Sequence, residues 1–326
     1  MRYVNLGRTG LRVSRVCLGM MSFGRHDERP WALGEEDAEP IVRHAAENGI
    51  TFFDTADVYN GGESEVLTGK LLARLFTREE YVVATKVHGQ TMPGENGRGL
   101  GRKHVLASID ASLKRLGLDH VDLYQTHRWD YRTPIEETME VLHEVVRAGK
   151  ARYIGASSMH AWQFAQAQAI AERRGWTPFV SMQNHYNLVY REEEREMIPQ
   201  CIDQGVGVLP WSPLARGLLA GNRTREGERL TTRAKTDRFA DSLYTPEADF
   251  AVVDRVVEVA GERGVPPARV ALAWLLHKPG VTAPIVGATK LQHLDDALAA
   301  EQLELSADEI ARLEEPYVPH AVSGHE

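Results

Sequence analysis

Four residues far apart in the chain carry side chains that together could move a proton at a carbonyl: Asp54, Tyr59, Lys86 and His127. A free phenol titrates near ~10, so a tyrosine acting as proton donor or acceptor near neutrality needs help from its surroundings. An ammonium beside it stabilises the phenolate, a carboxylate holds that ammonium in place, and an imidazole can orient a carbonyl or pass a proton. The set contains no redox centre, no activated nucleophile and no metal site, so the hard chemistry falls to a cofactor. A plainer alternative is a structural ion pair between Asp54 and Lys86 with an incidental histidine. Tyr59, placed between them, tips the reading toward chemistry.

These residues share a local setting. In GITFFDTADVYNGGESE, residues 49–65, the apolar run Ile50 to Phe53 reads as a buried strand with Asp54 at its carboxyl end. Thr55 to Gly62 is then a loop holding Tyr59, and a helix begins near Glu63. Tyr81 to Ala84 is a second such run and ends at Lys86; Val121 to Tyr124 is a third and ends at His127. Five more runs end at Gly19 with Met20, at Ser157 and Ser158, at Gln183, at Trp211 and at Gly287.

Helical spacing fills the intervals. Ile135, Met139, Leu142 and Val146 mark one face, with Thr133 as expected cap and Pro134 at the first position. Further helices are expected over 195–204, along Val253, Val256, Val257 and Ala260, and through the tail from Leu294 to Leu313. Eight strands alternating with helices imply a parallel sheet, and in a chain of 326 residues they favour an α/β fold of the (β/α)8 TIM-barrel type. A β-hairpin, Arg2 to Leu6 and Leu11 to Val13 around Gly7 to Gly10, is expected to cap one end. No linker divides residues 1–326, which are therefore expected to form one domain. Strand carboxyl ends converge on one barrel face, which makes all eight endings neighbours.

Composition excludes other classes. The 43% hydrophobic and 26% charged content is that of an ordinary globular chain, and a net charge of −8 argues against nucleic acid as a partner. The arginines between Arg223 and Arg238 are interrupted by Glu226, Glu228 and Asp237 and read as a solvated loop within an excursion from Ser212 to Thr245. Cys17 and Cys201 have no metal-ligand spacing and read as small buried hydrophobes suited to a reducing compartment. No signal-peptide core and no apolar run near ~20 residues occurs, so a cytoplasmic location without membrane association is expected. Nothing in the sequence indicates an oligomeric state.

The segments YVNLGRTGLRVS, FFDTADVYNGGESE, VVATK, DLYQTH, YIGASS, MQNHYNL, PWSPLARG and PIVGATK occur in this order over nearly the whole length. In them the chain resembles the aldo-keto reductase family, most of all bacterial members similar to potassium-channel β subunits and general aldehyde reductases. The resemblance implies an NADPH-dependent oxidoreductase that reduces aldehydes or ketones. In that role Tyr59 is the general acid, Lys86 and Asp54 tune it, and His127 orients the substrate carbonyl. It further implies that Trp211 stacks on the nicotinamide, that Ser157, Ser158 and Gln183 bind its carboxamide, and that Gly19, Met20 and Asp54 border the cofactor. Ser212, Pro213, Leu214, Arg216 and Gly217 match the loop over the pyrophosphate, and Gly287, Thr289, Lys290, His293 and Asp296 the 2′-phosphate end.

The sequence departs from the family in two places. Ser158 stands where many members have asparagine, and Gly287 to Lys290 with His293 replace a Lys-Ser pair and a later arginine. Substrate walls are expected from Met21, Phe23, His88 and Trp129, beside Tyr59 and His127. Two other functions stay open from sequence: an NADPH-sensing regulatory subunit, and a barrel hydrolase or lyase that uses Asp54 and Lys86 without nicotinamide.

Overall fold

The computed structural model describes residues 1–25, 29–244 and 246–325; three residues of the loop after Met20 and the last residue of the excursion, Thr245, lie outside them. The chain opens with a hairpin, β1 (Tyr3–Asn5) and β2 (Arg12–Ser14), then runs β3 (Cys17–Gly19), α1 (Glu35–Glu47), β4 (Phe52–Asp54), α2 (Glu63–Leu75), β5 (Val82–Val87) and α3 (Arg102–Leu116). It continues with β6 (Val121–Thr126), α4 (Ile135–Arg147), β7 (Ala151–Ser157), α5 (Ala161–Arg174), β8 (Phe179–Gln183), α6 (Met197–Gln204) and β9 (Gly207–Val208). The short helices α7 (Thr232–Thr236) and α8 (Arg238–Leu243) lie in the excursion, followed by α9 (Pro246–Arg263), α10 (Pro267–His277), β10 (Ile285–Gly287), α11 (Leu291–Ala300) and α12 (Ala307–Glu314).

The eight strands β3 to β10 form one sheet, every neighbouring pair parallel, in the order β10-β3-β4-β5-β6-β7-β8-β9. Its two edges meet through less regular bonds: Thr282 N–H donates to Val208 O at 2.8 Å, and Ile285 N–H to Pro210 O at 2.9 Å. The result is the (β/α)8 barrel expected from the alternation, with helices covering its outside. Among the described residues no helix is long and apolar enough to cross a membrane.

Side-chain alternation along the strands divides the barrel interior into two zones. One end is apolar: Cys17, Phe52, Ala84, Leu123, Leu209 and Ala283 pack into one cluster with Leu6 and Val13 of the hairpin. Two residues further along the same strands the side chains turn polar, with Asp54 after Phe52, Lys86 after Ala84 and Gln125 after Leu123, all buried. Such groups persist inside a protein only when they satisfy one another, so this polar layer marks the end of the barrel where the site must be. The hairpin plugs the other end. Gly7, at φ +56°, lies so close to the barrel that a Cβ would fall 2.5 Å from Gly205 O. Gly155 leaves room inside, where a Cβ would stand 2.3 Å from Ser181 Oγ.

Helix boundaries differ from expectation at four points. Pro134 rather than Thr133 caps α4, because the Thr133 hydroxyl donates instead to Asp130 Oδ2 at 2.7 Å. Helix α6 begins at Met197, after a separate turn at Glu192–Glu194. Val257 is exposed, and the buried face of α9 runs through Val252, Val253, Val256 and Val259 instead. The tail is two helices rather than one, since Ser306 and Glu309 form a capping box that starts α12 afresh.

Candidate active site

At the polar end the four residues singled out for their chemistry come together. Lys86 Nζ donates to Asp54 Oδ1 at 2.5 Å, to the carbonyl of Thr55 at 2.7 Å and to the Tyr59 hydroxyl at 3.3 Å. The Tyr59 and His127 rings meet edge to face with centroids 5.6 Å apart. The other carboxylate oxygen of Asp54 accepts from Gln125 Nε2 at 3.0 Å and from Gln183 Nε2 at 2.9 Å. Burial opposes the charge on Lys86, yet Asp54 and Tyr59 outweigh it and hold the ammonium above the ordinary lysine range. Burial, reinforced by Lys86 and Arg128, pushes His127 well below its usual value. At neutral pH His127 is thus an uncharged imidazole able to donate one hydrogen bond.

The loop that carries Tyr59 is held in a costly conformation. Asn60 has φ 50°, and its amide donates to the carbonyls of Met21 at 3.2 Å and Phe23 at 2.9 Å, tying the loop after β4 to the loop after β3. Ser158, Ser212, Ala215 and Arg216 are the other non-glycine residues with positive φ among the described residues, and all five lie on loops that leave strand carboxyl ends. Each such residue costs roughly 1–3 kcal/mol, and strain of this kind collects where a loop must hold a defined shape for function.

These loops surround a cavity of about 1160 Å³. Of the residues expected to bind a cofactor, Gly19, Asp54, Ser157, Gln183, Trp211, Ser212, Pro213, Leu214, Arg216, Gly217, Gly287, Thr289, Lys290, His293 and Asp296 line it, with Tyr59, His127 and Met21. Lys86 is fully buried behind Tyr59. Ser158 is buried and accepts a hydrogen bond from Trp211 Nε1 at 2.9 Å, so it orients the indole rather than opening into the cavity. Met20 and Phe23 lie in the hydrophobic core, where the Met20 carbonyl accepts from Ser64 Oγ at 2.8 Å. His88 and Trp129 are also off the cavity wall. Trp129 packs against Trp162, ring centroids 6.1 Å apart.

One face of the Trp211 ring is already occupied: His185 stacks on it at 4.3 Å and on Tyr190 at 4.1 Å, both within 11° of parallel. His185 is itself fixed by Tyr244 OH at 2.9 Å. Trp211 is therefore a rigid platform.

Several residues of the site and its support were not identified from the sequence. Gln125 lies two residues before His127 in β6, so strand alternation alone could have placed it on the inner face. Arg128, Trp31 and Phe239 carry no such signal. The stretch from Arg223 to Arg238 is not simply a solvated loop. Asp237, buried, accepts from Arg216 at 2.7 Å and from Arg233 at 3.1 Å, and the Arg233 guanidinium lies 4.4 Å from the Trp31 ring. Burial and the neighbouring Arg216 push Arg233 down to about 10, which leaves it cationic at neutral pH. Two guanidiniums share one carboxylate here, so the cluster is net positive. It suits a multiply charged anion.

A second anion position lies at the N-terminus of α11, where Thr289, Lys290 and His293 line the cavity and no side chain caps the helix. His293 Nδ1 accepts from the Thr289 N–H at 3.2 Å, and Asp296 is engaged by Arg269 at 2.8 Å. A planar platform, a buried amide, a positive cluster and a helix terminus along one cavity fit a dinucleotide phosphate.

Comparison with known proteins agrees with this architecture. The model of the aldo/keto reductase family matches residues 15–317. Versiconal hemiacetal acetate reductase of Aspergillus parasiticus is 45% identical over 343 residues, covering 99% of this chain and 98% of its own. A putative aryl-alcohol dehydrogenase of Schizosaccharomyces pombe is 43% identical over 346 residues, covering 99% and 97%. An aldo-keto reductase of Metarhizium robertsii is 45% identical over 350 residues, covering 99% and 93%. These relatives are fungal, whereas the sequence motifs suggested bacterial ones. The chain is a member of the aldo/keto reductase family, an oxidoreductase built on a (β/α)8 barrel.

Proposed function

We propose that the protein reduces aldehydes or ketones to alcohols with NADPH, Tyr59 acting as the general acid. The observation that carries this reading is the single position of Lys86 Nζ, 2.5 Å from Asp54 and 3.3 Å from the Tyr59 hydroxyl, with the His127 ring against Tyr59. When bound, the cofactor supplies a hydride from nicotinamide C4. The Tyr59 hydroxyl gives its proton to the carbonyl oxygen, and the Lys86 ammonium stabilises the phenolate left behind. Asp54 keeps that ammonium in place and charged. Neutral His127 donates a hydrogen bond that orients the carbonyl without adding a second charge.

The cofactor would be held by residues already aligned along the cavity. Trp211 offers its ring to the nicotinamide, and Ser157 offers its hydroxyl to the carboxamide. Gln183 donates through Nε2 to Asp54 and Gln125, which leaves its Oε1 to accept from the carboxamide. Arg216 and Arg233 would meet the pyrophosphate, and Lys290 with Thr289 and His293 the 2′-phosphate. The rings of Trp31, Tyr59, Trp211 and Phe239 line the same cavity, which suits planar or aromatic carbonyl compounds. That the relatives are named as reductases and an aryl-alcohol dehydrogenase supports turnover over a sensing role. The test is NADPH oxidation by the purified protein against aliphatic and aromatic aldehydes, with tryptophan fluorescence recording cofactor binding. Oxidation driven by at least one aldehyde is expected. Quenching by NADPH with no oxidation across the panel would instead indicate a sensor, and neither signal would remove nicotinamide from the account.

A further inference from the structure

Arg128 follows His127 directly, on the loop that leaves β6, and it lines the cavity. Its guanidinium donates through Nη1 to the carbonyl of His127 at 2.6 Å and lies 5.9 Å from the centroid of the Trp211 ring. Among the described residues no carboxylate comes within ion-pairing distance of it, and that one hydrogen bond is the only one it makes. Three other cations of the site are matched by carboxylates. Lys86 is paired with Asp54, and Arg216 and Arg233 share Asp237 at the end suited to cofactor phosphates. Neutral His127 adds no charge. Arg128 is therefore an uncompensated cation beside the reacting position, largely enclosed, where burial works against its charge. A charge in such a place is costly unless something bound there completes it.

We infer that Arg128 makes this site selective for carbonyl compounds that also carry a carboxylate, which its guanidinium binds while Tyr59 and His127 hold the carbonyl oxygen. This rests on the reductase reading above. A guanidinium offers five N–H donors in a planar fork that matches the two oxygens of a carboxylate, and only one of the five is engaged. Because Arg128 adjoins His127 in the chain, carboxylate and carbonyl must be joined by a short spacer. The rings of Trp211 and Tyr59 nearby make a single aromatic ring a suitable one.

The test compares 4-formylbenzoate with its neutral methyl ester in the wild-type protein and in Arg128→Met and Arg128→Lys. Wild type should favour the acid over the ester in kcat/KM. Losing a charge-assisted hydrogen bond at an enclosed position costs a factor of about 10 to 100, so the acid-to-ester ratio should fall by that factor in Arg128→Met. The fall should come mainly through KM, and Arg128→Lys should recover part of it. A ratio unchanged in Arg128→Met, or a wild-type preference for the ester, would overturn the inference. If neither these aldehydes nor any of the wider panel consumes NADPH, the reductase reading fails by itself. Binding of benzoate, followed by tryptophan fluorescence, then decides the role of Arg128: weaker binding by Arg128→Met supports it, and equal binding overturns it. Thermal melting of each variant shows that it is folded.

Discussion

Replacing Tyr59 by phenylalanine removes one oxygen atom and retains the ring that packs against His127, so its consequences for folding and for chemistry can be separated. In the wild-type protein Lys86 Nζ has three acceptors, and Tyr59 OH at 3.3 Å is the most distant; Asp54 at 2.5 Å and Thr55 O at 2.7 Å remain in the variant. Losing the longest of three hydrogen bonds should destabilise the fold by no more than about 1 kcal/mol. Losing a positioned general acid should lower kcat by a factor of roughly 10² to 10⁴, equivalent to about 3 to 5 kcal/mol in the barrier. The two magnitudes differ enough that unfolding cannot account for the loss. Cofactor affinity should be unchanged, because Trp211, Arg216 and Lys290 are untouched. Steady-state NADPH oxidation with an aromatic aldehyde, alongside a fluorescence titration with NADPH and a urea melt, measures all three quantities. Turnover within about tenfold of wild type, with cofactor still bound, would refute the assignment of Tyr59 as the acid.

Lys86→Met leaves Asp54 as a buried carboxylate with only two amide donors, and stability should fall by about 3 to 5 kcal/mol in urea denaturation; a change under about 1 kcal/mol would mean the pair is better solvated than its burial indicates. Asp57 is buried with neither carboxylate oxygen hydrogen-bonded, and burial, with Glu65 adding, raises its pKa to about 8. The folded protein therefore keeps that proton up to about 8 while the unfolded chain releases it near ~3.9, so wild-type stability should decline as pH rises through this window. Asp57→Asn lacks that slope, and its advantage should widen by a few kcal/mol between the two ends; parallel stability curves would show that the carboxyl ionises without penalty. Lys290→Met should weaken binding of NADPH more than of NADH in paired titrations, and equal losses would place recognition of the 2′-phosphate elsewhere.

The barrel could be read from the sequence because strands buried on both faces appear as short uninterrupted apolar runs, and each run ended in a residue that breaks the pattern. Asp54, Lys86, Gln183 and Trp211 stand out for that reason. Gln125 obeys the same alternation but lies inside β6, one residue before its end, where a polar side chain among apolar neighbours does not by itself mark the site. The loops were less legible. Phe23 looks like a wall residue by type and position, yet Asn60 pulls the carbonyls around it inward and the ring goes into the core. Arg233 and Asp237 sit in a charged stretch that reads as solvated, and only the fold brings Arg216 to them from the other side of the excursion. Contacts of that kind depend on three-dimensional closure, which no local spacing records.

The proposed reaction passes a hydride between nicotinamide and a carbonyl carbon in this cavity, and an isotope reports that transfer directly. The purified protein is incubated with NADPH carrying deuterium at both C4 positions and with benzaldehyde, and the benzyl alcohol formed is analysed by mass spectrometry and NMR. The prediction is one deuterium on the alcohol carbon of every product molecule, with NADP formed in equal amount. Alcohol without deuterium at that carbon, or cofactor bound and never consumed by any aldehyde, would contradict it.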